Sequence, residues 1–259
     1  MRFRLETIIN IHNDSAMISS LKNKIILLLR STKHALTPKK QMFVKKSFSQ
    51  CGEDIIVNYI FEQIGITRPS YLDIGAHHPF YLNNTQMFYE KGCVGINIEP
   101  DPSLFKLFPK YRTRDLNLNY GIGATEGELE LNVMSSATLN TFSSFEANRF
   151  QTDFGFKIET QVMIKIQTIK SILDKYQIYK FPDFLSIDIE GLEEEVIKSI
   201  DFNEGKPIVI CLETISYSET GRGEKNHDII SYLENQGYIK YADTNVNTIF
   251  VLKEKWERD

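Results

Sequence analysis

An acidic residue, a glycine and two histidines stand together at residues 73–78, where a short apolar run beginning at residue 71 comes to its end. A glycine in such a turn lets the backbone approach a ligand closely, and a carboxylate accepts hydrogen bonds or pairs with a cation. The segment contains neither glycine pattern, G-x-G-x-x-G or G-x-x-x-x-G-K-[ST], that binds phosphates. We therefore predict that Asp73, Gly75 and Ala76 hold a cofactor that lacks a pyrophosphate and carries an amine and a sulfonium.

Two more acidic residues, Glu99 and Asp115, lie further along the chain. Glu99 ends the apolar run 94–98, where a carboxylate can bind both hydroxyls of a ribose, as the acidic residue of dinucleotide folds does. The alternative for Glu99 is a simple turn residue. Asp115 could reach an adenine or brace the loops around it, and the alternative is a surface salt bridge to Arg112 or Arg114.

A pair of carboxylates, Asp188 and Glu190, leaves the tip of the apolar run 184–187 beside a glycine. Such a pair could bind the methionine part of a cofactor, act as a general base, or ligate a divalent metal. Glu213, after a later apolar run, could extend the metal-binding group. The alternative is a helix N-cap, since Asp and Glu suit the first helical turn.

His77 and His78 are adjacent, so an extended backbone cannot direct both into one pocket. We predict that one of them is a base or a substrate contact and that the other is structural. No H-E-x-x-H pattern or Cys/His cluster occurs, which argues against zinc, and no G-x-S-x-G occurs, which argues against a serine hydrolase.

The elements that must position these residues follow from periodicity. Residues 135–157 are polar and aromatic with little periodicity, and they predict a substrate loop or lid in which Phe142, Phe145, Phe150, Phe154 and Phe156 stack on sugars or form core. Strands are predicted at 71–74, 94–98, 119–122, 129–133, 162–166, 184–187, 207–212, 238–242 and 248–252, and helices at 55–61, 85–91, 102–108, 168–176, 192–200 and 228–236.

Repeated alternation of strands and helices predicts a three-layer α/β domain with a mainly parallel sheet covered on both faces. The last two strands form a hairpin that supplies an antiparallel edge. In such a sheet, ligands bind beyond the carboxyl ends of the strands, at the point where the strand order reverses. The acidic segments above all follow strands, so they are expected to meet there.

Charge divides the chain into a basic extension, 1–46, and a domain, 47–259. The extension holds ten Lys and Arg against two acidic residues, a formal charge of +8, whereas the remainder carries −12. A short basic amphipathic helix is predicted at 15–31. It either packs on the domain, or lies in a partly disordered extension, or contacts an anionic lipid surface or another acidic partner. Three widely spaced cysteines, Cys51, Cys93 and Cys211, fit a reducing, cytoplasmic setting, with the last two in the core.

Taken together, the ordered motifs resemble the FkbM-type S-adenosylmethionine-dependent methyltransferases over roughly residues 47–252. The blocks that carry the resemblance are Ser49-Gln50-x-Gly52-Glu53-Asp54, 71–79 with Asn84-Thr85, Phe88-Tyr89-Glu90-Lys91-Gly92, 95–100, Arg114-Asp115-x-Asn117, Leu139-x-Thr141-Phe142, 184–191 and the apolar run up to Glu213. The basic extension lies outside the family pattern.

The resemblance implies a seven-stranded, Rossmann-like methyltransferase fold with cofactor contacts at Asp73, Gly75, Glu99 and Asp115. It also implies methyl transfer to a hydroxyl on a sugar, glycan or similar natural-product scaffold, with no nucleic-acid partner. The block that contains Glu53 is implied to fold over the active site and to help bind cofactor or substrate. A nucleotide-dependent oxidoreductase and a non-catalytic binding protein are the alternatives.

Overall fold

The computed structural model describes residues 44–189, 191–215 and 223–257. The chain divides into two units, Met1–Lys46 and Ser47–Asp259. Every helix and strand that the structure describes belongs to the second unit. The helix predicted at 15–31 lies outside the described residues, and so does Glu190. Among the described helices, none is both long and apolar enough to cross a membrane.

The described strands follow the predicted order closely, with ends that differ by one to three residues in most cases. Phe184–Ile187 agrees at both ends because an apolar run bounded by polar residues marks a buried strand. In chain order the strands are β1 (Tyr71–Ile74), β2 (Gly95–Ile98), β3 (Leu116–Leu118), β4 (Gly121–Ile122), β5 (Gly127–Met134), β6 (Ile158–Gln167), β7 (Phe184–Ile187), β8 (Val209–Glu213), β9 (Tyr238–Asp243) and β10 (Asn247–Leu252).

Seven of these strands form the main sheet, in the order β3-β2-β1-β7-β8-β10-β9. The first five strands in this order pair in parallel with their neighbours, and β10 is antiparallel to both β8 and β9. The predicted seven-stranded, mainly parallel sheet with an antiparallel hairpin at one edge is confirmed. The strand order reverses between β1 and β7, which is where an open α/β sheet binds its ligand.

Helices cover both faces of this sheet, which confirms the three-layer prediction. Successive residues of a strand point to opposite faces: Leu72 packs with the core around Val196 and Ile229, whereas Tyr71 packs with the core around Phe61. The described helices are α1 (Glu53–Gln63), α2 (Gln86–Glu90), α3 (Pro102–Phe105), α4 (Phe108–Tyr111), α5 (Ser144–Phe154), α6 (Ile169–Lys175), α7 (Glu193–Lys198), α8 (His227–Asn235) and α9 (Lys253–Trp256).

A second sheet of three strands, in the order β4-β6-β5, lies between β3 and β7 in the sequence. The prediction of a strand of the main sheet at 119–122 is wrong. The chain leaves the main sheet after Leu118, and only Gly121–Ile122 forms a strand, which pairs with β6 in the second sheet. The half-exposed strands predicted at 129–133 and 162–166 are confirmed as the antiparallel pair β5 and β6.

The segment 135–157, predicted as an irregular loop, is instead largely helical. It contains a short 3-10 helix at Ala137–Leu139 and the 11-residue α5, whose Ser143 side chain caps the helix by accepting from the N–H of Glu146. Phe150 is buried in a small core with Leu139 and Ala147. Tertiary packing of these few apolar residues overrides the weak local periodicity.

Candidate functional site

A cavity of about 430 Å³ opens where strands of the main sheet end at the reversal of strand order. This volume lies within the ~300–1,000 Å³ typical of small-molecule sites. Its walls include residues that directly follow β1, β2 and β7, the last residue of β8 and the first residue of β10; among them are Gly75, Glu99, Asp188, Glu213 and Asn247.

Gly75 lines the cavity, but its lack of a side chain makes room for the backbone at the end of the neighbouring strand β7. Its φ is +73°, and a Cβ atom built on it would lie 1.7 Å from the backbone oxygen of Asp188. The N–H of Asp188 in turn donates to the carbonyl of Ile74 at 3.0 Å. The glycine therefore lets the ends of β1 and β7 meet, which brings Asp188 to the cavity wall.

Asp73 and Ala76 are buried and do not line the cavity. The Oδ2 atom of Asp73 accepts from Thr85 Oγ1 at 2.8 Å and from Asn83 Nδ2 at 3.2 Å, and Asn83 also donates to the carbonyl of Ala76. Burial raises the pKa of Asp73, against the hydrogen bond from Thr85 and the positive charge of Arg112. Both residues hold the loop after β1, and the cofactor contacts predicted for them stay a prediction.

Glu99 is the carboxylate that lines the cavity on the side of β2, although it is only 4% exposed. Its Oε2 accepts from the N–H of His77 at 2.7 Å, and its Oε1 accepts from the N–H of Asp101 at 2.8 Å. Burial raises the pKa of Glu99 to about 8, and the charges of Asp101 and Asp73 add to the rise against those two hydrogen bonds. The side chain is thus held rigidly and lacks a neighbouring cation among the described residues.

The two histidines have different surroundings. His77 lines the cavity in a left-handed backbone conformation (φ +53°), and burial, followed by the charge of His78, lowers its pKa. Nδ1 of His78 accepts from the N–H groups of Phe80 and Tyr81 at 3.2 Å, which fixes a neutral ring and a tight turn. His78 therefore supports this turn, and which of the two histidines contacts substrate stays a prediction.

Asp188 belongs to a group of three carboxylates at the end of β7. Oxygen atoms of Asp188, Glu193 and Glu213 lie within 4.8 Å of one another. The carboxylate of Asp188 opens to the cavity, yet desolvation by the surrounding protein raises its pKa, and the charges of Glu193, Asp73 and Glu53 raise it further.

Glu193 is the member of this group that the sequence did not single out. Its oxygens accept from the N–H groups of Ile189 and Gly191 at 2.9 and 3.0 Å, so it organises the turn that presents Asp188. Three consecutive glutamates at the start of a helix were the available sign, but they also fit a favourable charge at a helix N-terminus.

Asp115 does not line the cavity, and its predicted contact with adenine stays a prediction. Its side chain and that of Arg112 are both fully buried and form a 2.9 Å ion pair. Asp115 also accepts from the Tyr71 hydroxyl, the Gly95 N–H and Asn97 Nδ2. The salt bridge to Arg112 that the sequence allowed is present, but in the interior and not on the surface.

Glu53 likewise lies behind the cavity wall and is fully buried. Its Oε1 accepts from Thr244 Oγ1 at 2.8 Å and from Asn247 Nδ2 at 3.0 Å, and its Oε2 accepts from the N–H of Cys51 at 2.8 Å. Gln50, from the same block, does line the cavity. The block therefore borders the cavity through Gln50, whereas Glu53 makes its contacts with protein. A role of the block in binding cofactor or substrate stays a prediction.

These positions match a known family. A model of the methyltransferase FkbM domain matches residues 73–240, which contain the ends of β1, β2, β7 and β8. The chain belongs to the FkbM methyltransferase family. The match begins at Asp73 and leaves out Glu53 and Asn247, although both contribute to the cavity wall or its support.

Solved structures resemble the FkbM domain at low sequence identity. An FkbM methyltransferase from Methylobacillus flagellatus KT has a TM-score of 0.41 at 14% identity, with 71% of this chain and 44% of that chain covered. A precorrin-6y C5,15-methyltransferase from Geobacter metallireducens GS-15 has a TM-score of 0.38 at 13% identity, covering 76% and 87%. The 16S rRNA methylase ArmA has a TM-score of 0.36 at 10% identity, covering 86% and 95%. No curated protein matches the sequence.

The aromatic residues of the segment 135–157 divide between the core of the FkbM domain and its cavity. Phe150, Phe154 and Phe156 pack in the small core beneath α5, and Phe145 is 73% exposed on that helix. Phe142 is the one of the five that lines the cavity. Stacking on a sugar ring therefore stays a prediction for Phe142, while the three packed rings are core.

Proposed function

We propose that the protein is an S-adenosylmethionine-dependent O-methyltransferase that acts on a hydroxyl of a sugar, a glycan or a similar natural-product scaffold. The observation that carries the proposal is the acidic lining of the cavity at the strand reversal. Glu99, Asp188 and Glu213 line it, and none of its described lining residues is a lysine or arginine. Such a wall favours a ligand with positive charge and disfavours the pyrophosphate of a dinucleotide.

The walls fit S-adenosylmethionine at both of its ends. Glu99, held by two backbone N–H groups, retains lone pairs that can accept from the two hydroxyls of a ribose. Asp188 lies two strands from Glu99, or roughly 10 Å at the usual strand spacing. The positive charges of the methionine part would lie between β1 and β7, close to Asp188.

S-adenosylmethionine supplies a methyl group bound to a sulfonium. When a nucleophile attacks that methyl group in line, the thioether leaves readily. The protein must hold the hydroxyl against that methyl group and exclude water, and alignment of this kind can contribute about 7–11 kcal/mol. The reaction forms an O–C bond, breaks the S–C bond and transfers the hydroxyl proton to a base. Asp188 is our choice for that base, because its raised pKa suits proton acceptance near neutral pH.

His77 is the second choice for the base, since it also lines the cavity and its lowered pKa keeps the ring neutral. Glu190 was predicted beside Asp188 and stays a prediction. A divalent metal held by Asp188 and Glu213, now with Glu193 in reach, is a different way to activate the hydroxyl. Turnover measured with and without a chelator separates metal activation from a carboxylate base.

Calorimetry with S-adenosylmethionine and with NAD tests the cofactor. Micromolar binding of S-adenosylmethionine supports the proposal, and a preference for NAD would overturn it in favour of a nucleotide-dependent oxidoreductase. Transfer is tested by incubating the protein with S-adenosylmethionine carrying a labelled methyl group and with fractionated carbohydrate extracts. Binding without transfer to any fraction would favour a non-catalytic protein that retains the fold.

A further inference from the structure

Glu53, which lies behind the cavity wall, contacts Asn247, which lines the cavity. Glu53 begins α1, and Asn247 begins β10, 194 residues later in the chain. Asn247 Nδ2 donates to Glu53 Oε1 at 3.0 Å, and the same carboxylate takes the Thr244 hydroxyl and the Cys51 N–H. Burial would raise the pKa of Glu53, but these hydrogen bonds outweigh it and hold the pKa below its usual value. Glu53 is therefore a fixed acceptor.

This fixed acceptor decides which way the Asn247 amide points. A side-chain amide has one donor end and one acceptor end. Because the carboxylate takes the Nδ2 end, the Oδ1 end is the one left for the cavity that Asn247 lines. Every fully buried side-chain oxygen and nitrogen of the described residues has a partner, whereas Oδ1 has none among those residues. Oδ1 is therefore accessible and available to accept.

The place of Asn247 in the sheet separates it from the proposed cofactor contacts. Asn247 pairs with Glu213 of β8, so it lies two strands beyond Asp188 and four beyond Glu99. At the usual strand spacing these separations are roughly 10 Å and 19 Å. Ile215 and Val246 line the same part of the cavity. This is the side left for the acceptor once the cofactor extends from Glu99 to Asp188.

We propose that Asn247 Oδ1 accepts a hydrogen bond from a second hydroxyl of the acceptor, so that Asn247 is a specificity-determining residue and Glu53 is the positioning residue that orients it. The inference rests on the proposed function, because it takes the cofactor to lie on the other side of Asp188. The separation of Asp188 and Asn247 is one that two hydrogen bonds and a single sugar ring can bridge. The acceptor class is thus a polyhydroxylated ring and not a simple alcohol.

Four proteins form a test with a built-in rescue: the original, two single variants and their combination. In Glu53→Gln, a single amide oxygen must replace the two carboxylate oxygens that take Cys51, Thr244 and Asn247, so the Asn247 amide loses its fixed orientation. In Asn247→Asp, two carboxylates face each other. In the double variant, the amide introduced at position 53 donates to the carboxylate introduced at position 247, whose second oxygen again faces the cavity as an acceptor. The double variant also has the same net charge as the original protein.

Binding is measured by ligand-observed NMR on protein saturated with S-adenosylhomocysteine, with methyl α-glycosides of glucose, galactose and mannose as probes and cyclohexanol as the single-hydroxyl control. We expect each single variant, and Asn247→Ala, to weaken glycoside binding about threefold to tenfold. The double variant should recover most of that loss, and cyclohexanol binding should not change.

Glycoside binding that is equal in the original protein and in Asn247→Ala would overturn the proposal, as would single losses that multiply in the double variant. Absence of glycoside binding to the loaded original protein would overturn the acceptor class. Affinity for S-adenosylhomocysteine is recorded for every variant and should stay constant. If the original protein does not bind S-adenosylhomocysteine at all, the proposed function fails and not the Glu53–Asn247 assignment. Thermal unfolding shows whether each variant is folded. If Glu53→Gln does not fold, the comparison of Asn247→Ala with the original protein tests the proposal.

Discussion

The molecule holds two groups of carboxylates, one in the interior and one at the cavity, that differ in how their charge is balanced. Asp115 lies in the interior behind β1 and β2, fully paired with Arg112 and three further donors. Glu99 and Asp188 face the cavity, and their pKa values are raised because desolvation there is not offset by a cation of the described chain. A balanced group stabilises the fold, whereas an unbalanced group leaves its charge for a ligand to neutralise.

The interior group is built around a single guanidinium. Arg112 is fully buried and donates to Asp115 and Thr85 at 2.9 and 2.8 Å, and to Gln86 at 3.1 Å. Through Thr85 it also supports Asp73, which holds the loop after β1. The balanced group therefore positions the cavity wall without touching it.

The largest effect is expected from Arg112→Met. The variant leaves Asp115 buried without its cation, so the free energy of unfolding should fall by about 3–5 kcal/mol. Urea denaturation measures the change. The matched control is Lys170→Met, which removes the cation of exposed pairs with Asp174 and Glu204 and should leave stability unaltered. Equal losses in the two variants would contradict the distinction between the groups.

Asp188→Asn tests the cavity group in the opposite sense. Removal of this charge should leave the fold intact and S-adenosylmethionine bound, because Asp188 is open to the cavity. The rate of methyl transfer should fall by about 10²–10⁴-fold if Asp188 is the base. Single-turnover transfer of a labelled methyl group gives the rate, and full activity in this variant would remove Asp188 from the mechanism.

A smaller effect is expected from Glu99→Gln. Hydrogen bonds to a charged acceptor contribute about 1.5–3 kcal/mol, so S-adenosylmethionine should bind about tenfold to a hundredfold more weakly. Titration calorimetry measures the affinity. Unchanged affinity, in a variant whose urea denaturation matches the original, would place the ribose elsewhere than at Glu99.

The smallest effect is a proton that accompanies binding. The ordinary pKa of a glutamate, 4.5, is raised to about 8 at Glu99, so the folded protein holds a proton there at pH 7 that the unfolded chain has lost. Its contribution to stability is therefore full below about pH 4.5 and is lost as pH rises to about 8. Hydrogen bonds from the ribose hydroxyls favour the ionised carboxylate, so binding at pH 7 should release up to about one proton.

Calorimetric titrations in two buffers of different ionisation enthalpy count that proton. The release should disappear for the most part in Glu99→Gln, and it should decline above pH 8, where the carboxylate is already ionised. Proton uptake on binding, or a release that Glu99→Gln leaves unaltered, would mean that the cavity charge is balanced by some other group.

Most strands and helices of the fold could be predicted from local sequence. Mainly apolar runs of four or five residues followed by a glycine or an acid predicted β1, β2 and β7, because a strand buried on both faces is apolar at most of its positions. Helix ends followed where side chains cap them, as Thr168 does for α6. The prediction of an irregular loop at 135–157 was wrong, because α5 is stabilised by packing of a few aromatic residues and not by a periodic apolar face.

Residue types also located the site, since acids at the ends of parallel strands converge at one edge of the sheet. They did not decide which acid faces the cavity. Asp73, Glu99 and Asp115 look alike in the sequence, but only Glu99 lines the cavity, while the other two are held by Thr85 and Arg112. The difference depends on partners that chain folding brings together from distant positions.

The sequence by itself thus determined a parallel α/β sheet with an acidic edge and no phosphate loop. Only the tertiary structure decided that Gly75 admits the backbone of Asp188, that Glu193 supports Asp188, and that Glu53 orients Asn247. The reason is physical: periodicity reports burial along one element, whereas the direction of a carboxylate and its pKa depend on contacts between elements far apart in the chain.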